Sequence, residues 1–164
     1  MSSSAPTVGD GGTPRTHAAL GDCERVRPGF FGQPVNTATS LAYVAAGAYV
    51  ARRAESRPRL WSALLVALGV GSVGYHGPGT RSGKWLHDAS VAAAGGVLAT
   101  AAFHRNRNAR LAVGIGAVAV GIHASTRTGC RACAPESLWQ GHGLWHVMSA
   151  VALTALALGE RPHP

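Results

Sequence analysis

The segment Gln140-Gly141-His142-Gly143-Leu144-Trp145-His146 carries two histidines four positions apart. On a helix such residues project from one face, so His142 and His146 can share one metal ion. A third imidazole, His76, closes the run Gly71-Ser72-Val73-Gly74-Tyr75-His76, with Ser72 one turn back on the same face. Asp88, in Lys84-Trp85-Leu86-His87-Asp88, is the only acidic residue between Glu55 and Glu136. An ionisable group at membrane depth is costly, which makes it a functional candidate. Three imidazoles and an open coordination position match catalytic zinc, which lowers the pKa of a bound water to about 7 and polarises a carbonyl. The chemistry is then hydrolysis, with Asp88 as general base and the Ser72 hydroxyl on the oxyanion or the water. The competing interpretations of the histidines are hydrogen bonding between helices and a bis-histidine haem, and haem needs neither Ser72 nor Asp88. His87 and His123 are assigned packing or interfacial roles.

Positioning these residues requires helices. The chain has 164 residues, 46% of them hydrophobic and only 13% charged, which excludes a disordered or collagen-like chain. Its net charge of +8 would suit a nucleic-acid binder, but long stretches carry no charge, so no nucleic-acid partner is expected. The mean hydropathy of +0.10 averages a polar head with an Ala, Val, Leu and Gly-rich body. The head, residues 1–34, has no signal-peptide pattern and is expected to be exposed and partly disordered. Five apolar stretches follow: Val35 to Val50, Leu60 to Tyr75, Trp85 to Phe103, Leu111 to Ala124 and Gly143 to Gly159. Each is near spanning length once flanks and tilt are counted, the fourth being short. Amphipathic periodicity is nearly absent, which disfavours a soluble bundle. The expected fold is all-α, an integral membrane bundle of about five transmembrane helices, with residues 35–160 as the membrane domain.

Loop charge sets the orientation. The connections Ala51 to Arg59 and His104 to Arg110 are rich in arginine, and Arg161 follows the last helix. Kept cytoplasmic by the positive-inside rule, they put the N-terminus outside and the C-terminus inside. His76, Asp88, His142 and His146 then share one depth near the outer ends of three helices. Cys23, Cys130 and Cys133 lie in the same oxidising compartment, where one bridge from the head to the last loop is expected, Cys23 to Cys133 with Cys130 left over. A Cys130-x-x-Cys133 redox or zinc motif is the alternative, although a zinc site would need a second pair.

These residues resemble the alkaline ceramidase family, within a superfamily of membrane hydrolases that also includes adiponectin-type receptors. The matching pieces are Asp22-Cys23-Glu24, Asn36-Thr37-Ala38-Thr39-Ser40, Ser72-x-x-x-His76, Asp88, Cys133-Ala134-Pro135-Glu136-Ser137-Leu138 and His142-x-x-x-His146. The resemblance implies zinc on His76, His142 and His146, hydrolytic roles for Asp88 and Ser72, and a Cys23–Cys133 disulfide. It also implies a ceramide-like lipid substrate, cleaved at its amide to a fatty acid and a sphingoid base near the extracytoplasmic face of the cell membrane. The family is seven-pass and this chain has five stretches, so two helices of the cavity wall are missing between Asp88 and His142. The family's calcium site is matched only by Glu24 and, nearby, Asp22, at best a weak site for an ion that wants several oxygens. The alternative function is a non-enzymatic, metal-containing lipid-binding or receptor-like membrane protein.

Overall fold

The computed structural model describes residues 21–54, 57–103 and 106–160. These form five α-helices, α1 (Pro34–Arg53), α2 (Pro58–His76), α3 (Arg81–Ala101), α4 (Arg107–Ser125) and α5 (Gly141–Gly159), with no strand among the described residues. The all-α expectation and the five apolar stretches are met. Local chemistry explains the starts. Pro34 and Pro58 open α1 and α2, where a missing N–H costs nothing. Thr80 and Asn106 cap α3 and α4, their side chains accepting from the amides of Gly83 and Ala109. The fourth helix is 19 residues long, as long as α5, because its first turn recruits Arg107 and Arg110 from the basic loop.

In space the helices follow the order α3, α2, α1, α5, α4, each packed on the next, while α3 and α4 meet only briefly. Glycines set the tightest contact. A Cβ added at Gly83 would sit 2.4 Å from the Gly74 carbonyl carbon, and one at Gly71 would sit 2.5 Å from the His87 amide nitrogen. Backbones of α2 and α3 therefore touch, as small residues allow. Tyr43, Leu65, Leu68, Val50 and Leu153 fill the centre. At one end Trp61 Nε1 donates to Glu160, 3.0 Å away, tying α2 to the end of α5.

Residues 21–33, assigned to the exposed head, pack over the other end of the bundle, with Asp22, Cys23, Glu24 and Gln33 buried. The disulfide Cys23–Cys133 joins this segment to the α4–α5 loop, and Cys130 is left as a free thiol. Arg25 and Arg27 pair with Glu136 across the same seam. The expected disorder of the head, and the basic residues His104, Arg105 and Arg161, fall on or partly on residues 1–20, 104–105 and 161–164, outside the described residues.

By length and composition, α5 is the one helix among the described residues apolar enough to cross a membrane, with a mean hydropathy of 1.3 over its best window. The other helices have lower means because arginines close α1 and open α2, α3 and α4, and because Ala, Gly, Ser and Thr fill much of their length.

Candidate metal centre

His76 ends α2, His87 lies in the second turn of α3, and His142 and His146 occupy the first two turns of α5. The bundle gathers these four at the end covered by the head. One ligand atom from each lies within 4.8 Å of one from each of the others. The ring centroids of His76 and His142, and of His142 and His146, are 4.6 Å apart. His87 is the fourth imidazole. Its side chain is 12% exposed and its ring stacks on Tyr75 at 4.8 Å.

Each ring turns its Nδ1 toward an oxygen. His76 Nδ1 lies 2.7 Å from Gln33 Oε1, and Gln33 is oriented by donating through Nε2 to the Glu24 carbonyl at 2.8 Å. His146 Nδ1 lies 3.1 Å from Thr39 Oγ1 and 3.4 Å from Ser40 Oγ. Those hydroxyls give their protons to the carbonyls of Val35 and Asn36, so toward His146 they accept. His87 Nδ1 lies 3.0 Å from Asp88 Oδ1, and His142 Nδ1 lies 3.1 Å from Asp22 Oδ1. For His76, His146 and His87 these acceptors at Nδ1 fix the tautomer that leaves Nε2 as the lone-pair donor, the arrangement that orients metal-binding histidines. Nε2 of His142 and of His146 is buried without a hydrogen-bond partner. Orphaned buried nitrogens among four imidazoles fit a borderline transition dication such as zinc.

The other expected site residues divide. Ser72 is fully buried one turn before His76, and its hydroxyl has no hydrogen-bond partner. Asp88, expected as general base, stands outside the cluster: its side chain is 52% exposed and pairs with Lys84 as well as His87. The next residue along a helix is rotated by about 100°, so with His87 turned inward Asp88 must turn out. The two carboxylates expected for a weak calcium site, Asp22 and Glu24, serve different partners. Glu24 accepts from the amides of Val35 and Asn36 at 2.7 and 2.8 Å, neutralising the N-terminus of α1. Asp22 faces His142 and, at 3.8 Å, His76. Burial raises the Asp22 carboxyl's pKa, but the imidazole of His142 beside it, with those of His123 and His87, outweighs burial and holds it below its ordinary value.

Sequence reasoning left out Gln33, Thr39 and Asp22 as supports of the imidazoles, and assigned His87 to packing. The Thr39–Ser40 pair stood within a recognised motif, but nothing local tied it to a histidine 107 positions away.

Below His146 the bundle opens into a cavity of about 320 Å³, in the cleft where α3 and α4 separate. Leu68, Val91, Ala94, Leu98, Val113 and Gly116 line it, with Tyr43, Trp145 and Ser149 toward the histidines. Tyr43 bonds Ser149 at 2.6 Å and its ring lies 5.6 Å from that of His146.

Compared with known proteins, the chain matches no family model, no curated protein and no solved structure.

Proposed function

We propose that this chain is an integral membrane, zinc-dependent amidohydrolase that cleaves the amide of a ceramide-like N-acyl lipid, releasing a fatty acid and a sphingoid base. The observation that carries the reading is a cluster of four converging imidazoles next to an apolar cavity, whose lining residue Tyr43 has its ring 5.6 Å from that of His146. His76, His87, His142 and His146 are the residues that would hold the ion. Zinc bound there supplies Lewis acidity toward a carbonyl and a water acidified toward neutrality. Hydrolytic zinc sites expand to five ligands, so four imidazoles are compatible with an open position.

The chain's own groups do the rest. Gln33, Thr39 and Asp88 lock three of the rings, and Asp22 lies against the fourth, His142. The buried Ser72 hydroxyl, without a partner, orients the water or receives the carbonyl oxygen. The cavity takes the acyl chain and keeps bulk water from the amide. Its volume is at the lower end for small-molecule sites and suits part of one chain, the remainder leaving between α3 and α4.

A multi-pass membrane location is supported by the outward faces of the helices, which expose Leu41, Tyr49, Val70, Leu111, Val118, Val147 and Val151. At the histidine end, Trp85 and the loop residues Leu138 and Trp139, the latter two 81% and 93% exposed, match an interfacial belt. With the arginine-rich loops cytoplasmic, the metal centre lies at the extracytoplasmic end, where the disulfide is also stable.

A second reading follows from His87. Four imidazoles can close a tetrahedral zinc site, giving a structural metal in a lipid-binding or receptor-like protein. The deciding measurement is zinc content of the detergent-purified chain alongside fatty-acid release from ceramide. Bound zinc with release, both abolished by removing the metal and restored by adding it, is the expected result. Bound zinc without release from any amide or ester lipid would select the second reading, and a chain that binds no metal would reject both.

A further inference from the structure

An ion at the four-imidazole point accounts for His142 Nε2 and His146 Nε2. Besides Ser72 Oγ and Asn36 Oδ1, it leaves Asp22 Oδ2, His123 Nδ1 and His142 Nδ1 buried and without hydrogen-bond partners. These atoms belong to three residues that form a second group, one ligand atom from each lying within 4.8 Å of the others. Their supports are independent. Asp22 comes from the head and is pinned beside the Cys23–Cys133 bridge, His123 from the last turn of α4, and His142 from the first turn of α5. Asp22 and His142 are each only 7% exposed.

A purely orienting role for Asp22 explains less. The rings of His76, His146 and His87 make hydrogen bonds through Nδ1. Asp22 Oδ1 reaches 3.1 Å from His142 Nδ1, yet that nitrogen has no hydrogen-bond partner, so the carboxylate stands off the N–H direction. Nor does orientation of His142 account for His123, whose ring meets that of His142 edge to face at 4.7 Å. Neighbouring ligands of one ion stand at such separations without being aligned on each other.

We propose that Asp22, His123 and His142 hold a second transition-metal dication, with His142 bridging the two ions through Nε2 and Nδ1. When the second ion binds, the His142 Nδ1–H bond breaks, an Nδ1–metal bond forms and the proton leaves to solvent. Two imidazoles and one carboxylate suit zinc or its first-row neighbours and do not suit calcium, which takes six to eight oxygens. The inference rests on the reading that the four imidazoles bind an ion.

The test is zinc stoichiometry of the detergent-purified full chain, loaded with zinc and freed of excess. The expected result is two zinc ions per chain, falling to one in His123→Ala and in Asp22→Asn, with the retained ion serving as the control for folding. His123→Gln, which keeps the side-chain volume, should likewise retain one. A single zinc in the unchanged chain, undiminished by His123→Ala, would overturn the second site and leave the four-imidazole reading standing. No zinc in the unchanged chain would overturn both. Cobalt(II) loading adds a readout of the bridge: magnetic coupling between two ions is expected, lost in His123→Ala. Two uncoupled cobalt ions would overturn the bridging role of His142.

Discussion

Nδ1 of His87 lies 3.0 Å from Oδ1 of Asp88, and this contact makes the acidic residue of α3 the support of a clustered imidazole. A carboxylate on the distal nitrogen of a ligating histidine fixes its ring and raises its basicity. The same carboxylate pairs with Lys84 one turn away, so it is held outside the cluster from two directions.

Asp88→Ala is therefore expected to weaken zinc binding roughly 10- to 100-fold, the usual cost of losing such a partner. Competition against a chelator of known affinity measures it. Turnover at saturating zinc should fall much less than affinity. Unchanged affinity with abolished turnover would return Asp88 to the role of general base.

Gln33 links the head to the metal centre, accepting from His76 and donating to the Glu24 carbonyl. Gln33→Leu removes the acceptor and should lower zinc affinity by a similar factor, roughly 10- to 100-fold. Gln33→Glu keeps an oxygen at that place and should recover most of the affinity. Equal losses in both variants would mean that Gln33 acts only through packing.

The Cys23–Cys133 bridge closes a loop of 110 residues of sequence separation and holds Asp22 against His142. Replacing Cys23 by Ser is expected to lower stability by about 2–5 kcal/mol, read from denaturant or thermal unfolding in detergent. Stability equal to that of the unchanged chain would show that packing of the head suffices without the bridge.

Gly116 faces the cavity, where an added Cβ would meet only the Leu98 side chain at 3.5 Å. Gly116→Leu should extend into that space without displacing a helix. Hydrolysis of long-chain N-acyl lipids is then expected to lose more, mainly through a higher KM, than hydrolysis of short-chain ones. A uniform loss across chain lengths would place the acyl chain elsewhere.

The amino-acid sequence by itself determined the helices and three of the four clustered imidazoles, His76, His142 and His146. Uncharged apolar runs bounded by prolines, glycines and arginine-rich connections leave few places for a helix to start or stop, and the observed bounds differ from the expected ones by a few residues. His142 and His146 were legible because a four-residue spacing on a helix is a local fact, and Ser72 and His76 share a face for the same reason. The Cys23–Cys133 pairing followed from the loop-charge topology, which puts the head and the last loop on one side, and the family resemblance implied the same bridge.

Tertiary structure alone decided which side of α3 faces the histidines. His87 and Asp88 are adjacent, and a helix with little amphipathic contrast carries no local instruction about its rotation. That rotation is set where Gly71 and Gly74 of α2 admit the backbones of His87 and Gly83 at contact distance, turning His87 in and Asp88 out. The supports Gln33, Thr39 and Asp22 reach their imidazoles across 43, 107 and 120 positions of chain. Such pairings arise only when the head closes over the bundle and α1 packs on α5, because a contact between distant segments depends on where packing places them.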